Sequence, residues 1–352
     1  MHLSSGRYEV SLGATAVLRI IRMAPIQQKL ALIFGFWLNS TLGLKGDNVP
    51  IVALAYTRDS QSLISNGHRQ IAVRSPQTGN VILTHPCDQS KITCLVFNSN
   101  SSVLAIGGGQ PNETGILRVW RWPQAKELAR LNAHKDLVQS VAFEDSGKII
   151  ATASADHSIK LWNCENLENP KLLQTLTGHS APVLAMAFMH QTGQIISAGV
   201  DRSIKVWSIT DGSIVRSLNY HTEAVHALVM KPFLAESPEL QPLCVTTGAD
   251  RTIRVWQPGI GRMVRIIRGL PTPGLGLAMS KSGDRIFVVD CSGTLRIYDG
   301  SSDQLIGDNQ LHQDWIYSIA ISPDGRSIAT GDASGQLKIT AVSDLSSEPR
   351  SK

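Results

Sequence analysis

At 352 residues the chain is long enough for one large core or two ordinary ones. It is 42% hydrophobic and 17% charged, which excludes a disordered polypeptide. The net charge of +5 comes from Lys and Arg residues that never cluster beyond a pair, so the concentrated basic stripe of a nucleic-acid binder is lacking.

Residues 1–45 differ from the rest. Residues 1–22 show no strand period and no turn punctuation. Residues 30–44, LALIFGFWLNSTLGL, carry no charge, and their apolar heart is nine residues long. A membrane-spanning helix needs about 20 apolar residues, so no transmembrane span is expected. Lys29, the apolar run and Thr41-Leu-Gly43 follow the order of a signal peptide, most naturally with translation starting at Met23, although an Ala-x-Ala-like cleavage site is lacking. This reading favours an exported, periplasmic location over a cytoplasmic one. The competing reading makes residues 38–45 a strand that completes a β-ring.

From residue 46 onward one pattern recurs. Apolar runs stand at 51–56 (IVALAY), 92–97 (ITCLVF), 138–143 (VQSVAF), 183–188 (VLAMAF), 225–230 (VHALVM), 274–279 (GLGLAM) and 316–321 (IYSIAI). Polar turns follow, except at the fifth, where the Pro-rich stretch 232–242 intervenes. Each repeat closes on a third run, ending at Arg74, Trp120, Trp162, Trp207, Trp256, Tyr298 and Thr340, between 42 and 49 residues apart. Four strands per unit at this period is the arithmetic of a β-propeller, because one small sheet cannot bury both faces and radial stacking does it for all. The fold expected is all-β, a seven-bladed propeller of four-stranded antiparallel blades over 46–342. Residues 1–45 precede it and a polar tail, 343–352, follows. Cys87, Cys94, Cys164, Cys244 and Cys291 are scattered, odd in number and without CxxC spacing. They read as small apolar residues on strands, Cys164 being the most exposed.

Three repeats carry the same polar set: His134, Thr152, Asp156 and Trp162; His179, Ser197, Asp201 and Trp207; His221, Thr246, Asp250 and Trp256. On these residues the chain resembles the WD-repeat family. That resemblance implies a hydrogen-bonded tetrad in each blade, with the His before the inner strand, the Ser or Thr on the second strand, the Asp in the next tight turn and the Trp on the third. The remaining repeats depart from it. The seventh keeps His312 and Thr330 with Ser334 and Thr340 in the Asp and Trp places. The sixth has Ser292 and Tyr298 and no His. The second keeps His85 and Trp120, and the first has Asp47, His68 and Arg74.

A Ser-His-Asp set invites a hydrolase reading. A nucleophile is expected once, however, and this trio recurs in three units, so the set reads as structural. No catalytic residue, cofactor site or metal site is expected; the insertion 107–115, GGGQPNETG, lacks the following Lys-Ser/Thr of a phosphate loop. The resemblance implies instead a non-catalytic, monomeric scaffold that binds other proteins through loops on one face. His157, Arg202 and Arg251 follow the turn aspartates, and Trp315 is a large aromatic among short loop residues; Trp and Arg are enriched at interaction hot spots. An exported ligand-binding propeller and a propeller enzyme are the alternatives.

Overall fold

A computed structural model describes residues 49–232 and 242–345. These residues form seven separate antiparallel sheets. In each sheet the strands are neighbours in space in the order they follow in sequence, so every connection within a sheet is a hairpin. The fourth sheet runs Val183–Met189, Gln194–Gly199, Ile204–Ser208 and Ile214–Leu218. Six sheets have four strands. The seventh shows three among the described residues: Ile316–Ile321, Ser327–Asp332 and Leu337–Ala341.

The core lies between the sheets. Seven apolar clusters each draw on two successive sheets, and the last joins the seventh to the first, packing Ala329 with Tyr56 and Leu63. The first strands of neighbouring sheets pack on one another all the way round. The ring is therefore closed, and the fold is a seven-bladed β-propeller. Two hydrogen bonds tie the joint: Ile51 N–H donates to the Asp332 carbonyl (3.0 Å) and Ser318 Oγ to the Ile51 carbonyl (2.7 Å). Thr93 Oγ1 on the Val138 carbonyl, and His226 Nδ1 on the Gly274 carbonyl at 2.9 Å, stitch two further seams.

This packing explains the apolar runs. Second and third strands have a blade on either side, so Ile195, Ile196, Ser197 and Ala198 are all buried and hydrophobic alternation is lost. Fourth strands form the perimeter, where Val81, Ile82 and Leu83 are exposed. In six blades the register between third and fourth strands slips at the same point, beside the Trp or its substitute. Such bulges twist an outer edge away from strand addition. The third strand of blade 7 is more exposed than its counterparts, because no described strand covers its outer edge. The closing strand expected around residues 38–45, like the expected signal peptide, lies outside the described residues.

Cys164 is buried at 3% exposure, contrary to the expectation from its position after Trp162, because it packs into the seam between blades 2 and 3. All five cysteines are free thiols. Burial pushes Cys87 and Cys164 up to about 11, so these thiols stay protonated and unreactive at neutral pH. After Ala341 the chain makes a single 3-10 turn, Val342–Asp344, and Leu345 packs into the seam of blades 6 and 7.

Candidate functional site: a buried clamp and the face above it

In blade 4, His179 sits in the loop leading to the first strand, Ser197 on the second, Asp201 in the tight turn and Trp207 on the third. The loop can close over the sheet because the second strand ends in Gly199, where a Cβ would stand 2.3 Å from the Pro182 carbonyl oxygen. Gly248 does the same beneath blade 5, 2.1 Å from the Ala224 oxygen.

The four side chains form one hydrogen-bonded line. The Trp207 indole N–H donates to Ser197 Oγ (2.8 Å), Ser197 Oγ meets His179 Nε2 (2.7 Å), and His179 Nδ1 meets Asp201 Oδ2 (2.8 Å). Indole only donates and carboxylate only accepts, so one direction satisfies every atom: Trp to Ser, Ser to His Nε2, His Nδ1–H to Asp. The carboxylate also accepts the Ser180 and Ser203 backbone N–H groups and the Ser203 hydroxyl. Burial by itself would raise the Asp201 carboxyl. The hydrogen bond from His179 together with the Ser203 donors outweighs it and holds the group well below the carboxylate range.

Blades 3 and 5 repeat the arrangement. His134 joins Asp156 (3.1 Å) and Thr152 (2.8 Å), and the Trp162 indole donates to Thr152 at 3.0 Å. His221 joins Asp250 and Thr246, both at 2.8 Å, and the Trp256 indole donates to Thr246 at 2.9 Å. Asp250 is held down to about 2 despite its burial, chiefly by His221.

The divergent blades solve the same problem with other residues. In blade 7, Asp332 on the second strand meets His312 Nδ1 at 2.9 Å, while Ser334 donates to that carboxylate. The sequence pointed to Ser334 because it occupies the turn position; the carboxylate arrives from two residues earlier. Blade 6 has no imidazole, and Asp290, at the same strand position as Asp332, pairs with the buried Arg296. In blade 1 the Arg74 guanidinium replaces the indole as donor, reaching Ser65 Oγ at 2.8 Å. His85 is no clamp residue: it lies on the fourth strand of blade 1, edge-on to Trp120 and Trp122, with ring centroids 6.5 and 6.0 Å away. A basic residue stands two places before the closing position in six repeats, as Arg118, Lys160, Lys205, Arg254, Arg296 and Lys338, and in blade 6 it is the cation that meets Asp290.

This set has the connectivity of a catalytic triad but not its accessibility. Ser197, Thr152 and Thr246 are fully buried, and each hydroxyl already accepts an indole N–H. No substrate carbonyl can reach them. Among the described residues no group of His, Cys, Asp and Glu could hold a metal ion, and no helix is long and apolar enough to cross a membrane.

Above the clamps the loops and tight turns share one face. His157, Arg202 and Arg251 follow the turn aspartates of blades 3, 4 and 5, each exposed and at positive φ (71°, 66° and 57°). Trp315 belongs to blade 7, half-buried and edge-on to Tyr317 at 6.3 Å. Four residues on blades 3, 4, 5 and 7 lie around the face and do not form one cluster.

A ring of seven sheets, pinned from within by His, Ser or Thr, Asp and Trp, defines a repeat β-propeller. The WD40 family model (WD domain, G-beta repeat) matches residues 125–163, 170–208, 212–257 and 304–340. The chain belongs to the WD-repeat family. The chain is 27% identical over 302 residues to the tRNA (34-2'-O)-methyltransferase regulator WDR6 of Mus musculus, covering 79% of this chain and 26% of that protein. It is 28% identical over 183 residues to the p21-activated protein kinase-interacting protein 1-like of Danio rerio, covering 49% and 43%. Periodic tryptophan protein 2 of Arabidopsis thaliana is 24% identical over 249 residues, covering 71% and 26%. The chain thus spans less than half the length of each. Propellers of this family generally serve as non-catalytic scaffolds for protein interaction.

Proposed function

We propose that this chain is itself such a scaffold, a monomeric, non-catalytic propeller that binds other proteins through the face bearing His157, Arg202, Arg251 and Trp315. The observation that carries this reading is the burial, among the described residues, of the Ser/Thr-His-Asp constellation. The Ser and Thr hydroxyls are consumed in the clamps, and what the ring offers outward is loop surface. Two relatives support it by name, one as a kinase-interacting protein and one as a methyltransferase regulator.

Trp315 is the proposed anchor, since an aromatic at a desolvated contact typically contributes more than ~1 kcal/mol. Trp315→Ala is expected to keep the melting temperature and to lose partners that the native chain captures in a quantitative pulldown. Equal recovery by the variant would overturn its role.

We further propose that residues 23–43 act as a leader, on their composition alone. N-terminal sequencing of the mature protein checks this. A start near residue 44 is the expected result; a start at Met1 or Met23 refutes cleavage and leaves residues 38–45 available as a closing strand.

A further inference from the structure

Blade 2 departs from the clamp pattern in a way that opens a cavity. Asp88 stands four residues before Ile92, at the place that His134, His179, His221 and His312 hold before their own first strands. The Ser/Thr position is filled by Ile106, and the tight turn is drawn out into a hairpin, with strands Val103–Gln110 and Thr114–Arg121. No imidazole bridges loop and sheet here. Instead Asp88 turns outward, its side chain 69% exposed.

A cavity of about 550 Å³ remains between the blade 1 turn and the outer half of blade 2. His68 and Arg69 border it on one side, Arg130 and Asn132 on the other, with Gln89 and Gln110 in its wall. The volume falls within the range of sites that hold a ligand of several side chains (~300–1,000 Å³). Arg69 and Arg130 both lean on the single Asp88 carboxylate, at 2.6 and 3.7 Å, with side chains 60% and 44% exposed. One carboxylate cannot saturate two five-donor guanidinium groups. Behind them Gln89, at 1% exposure, has an Oε1 with no hydrogen-bond partner, although its amide nitrogen donates to the Lys91 carbonyl at 3.0 Å. A buried acceptor without a donor is a standing energetic cost.

We propose that this cavity is a binding site for an acidic peptide segment of a partner protein. Arg69 and Arg130 take its anionic side chain, a carboxylate or a phosphate monoester, in bidentate fashion. The amides of Gln110 and Asn132 meet its backbone. The inference rests on the scaffold reading but names a second place on that face, two blades around the ring from Trp315, and the chemistry that fits it.

The test is fluorescence polarisation of the full chain with fluorescein-labelled decapeptides that share Gly-Ser flanks and carry central Glu-Glu, phosphoserine or Lys-Lys. The first two are expected to bind and the third not; whichever anion binds tighter identifies the source. Arg69→Glu and Arg130→Glu are surface changes expected to weaken binding tenfold or more each. Arg326→Glu, in an exposed turn at the other end of the blades, makes the same charge change and is expected to leave affinity within twofold. Absence of binding to both anionic peptides would overturn the proposal. So would an equal loss with Arg326→Glu, which would show only the diffuse attraction of a cationic chain. Retained anionic-peptide binding in Trp315→Ala, alongside its loss in Arg130→Glu, separates this site from the Trp315 contact.

Discussion

Replacing Trp207 with alanine is expected to lower the melting temperature by about 6–10 °C, a larger effect than removing a partly exposed clamp donor. Trp207 is fully buried and packs in the seam of blades 3 and 4 with Ile159, Val183 and Met186. Removing a buried Trp typically costs ~3–5 kcal/mol in lost transfer energy and cavity. Ser197 also loses the indole donor that fixes its hydroxyl toward His179, so the clamp loosens with the core. Against a total stability of ~5–15 kcal/mol this is a large share. Calorimetric melting checks it. Arg74→Ala, which removes the corresponding donor from the half-buried edge of blade 1, is the comparison and is expected to cost much less. A Trp207→Ala shift no larger than that of Arg74→Ala would show that the indole is not a keystone of its blade.

Stability is also expected to fall on acidification in two stages. His226 and His312 are pushed below the usual imidazole range by burial, against the opposing pull of the Gly274 carbonyl on His226 and of Asp332 on His312. A depressed imidazole favours the neutral form in the fold, so its contribution is complete above pH ~6.5 and is lost as pH falls further. Asp156, Asp201 and Asp250 resist the upward push of burial through their imidazole and hydroxyl donors and end well below the carboxylate range. Their contribution is complete above pH ~4 and is lost toward pH ~2. Melting temperature measured from pH 8 to pH 3 should therefore begin to drop below pH ~6.5 and drop more steeply below ~4. His226→Gln should flatten part of the first stage. A plateau extending unchanged down to pH 5 would contradict the histidine assignment.

Blade number and clamp spacing were legible because each blade repeats one pattern at nearly constant separation, and three blades carry the complete polar set. The divergent blades were not legible residue by residue. A carboxylate can reach the same point in space from two places along a strand, as Asp332 does where Ser334 occupies the turn. A guanidinium can stand in for an indole, as Arg74 does, because the clamp asks for a donor at a location and not for a residue type. His85 misled for the opposite reason: it has the right chemistry near the right place, but its strand points it at Trp120 and Trp122.

The period, the all-β architecture and the identity of three clamps could be read from the residues alone. These follow from local turn chemistry and from apolar runs that only a two-sided neighbour can bury. What closes on what emerged from the packing of blades: blade 7 packs on blade 1 through Ile51 and Asp332, the hydroxyls are sealed and not reactive, Cys164 is inside, and Asp88 faces outward beside Arg69 and Arg130. The physical reason is that access and pairing are properties of seams between blades, and a seam joins residues some 20 to more than 260 positions apart that no local pattern links.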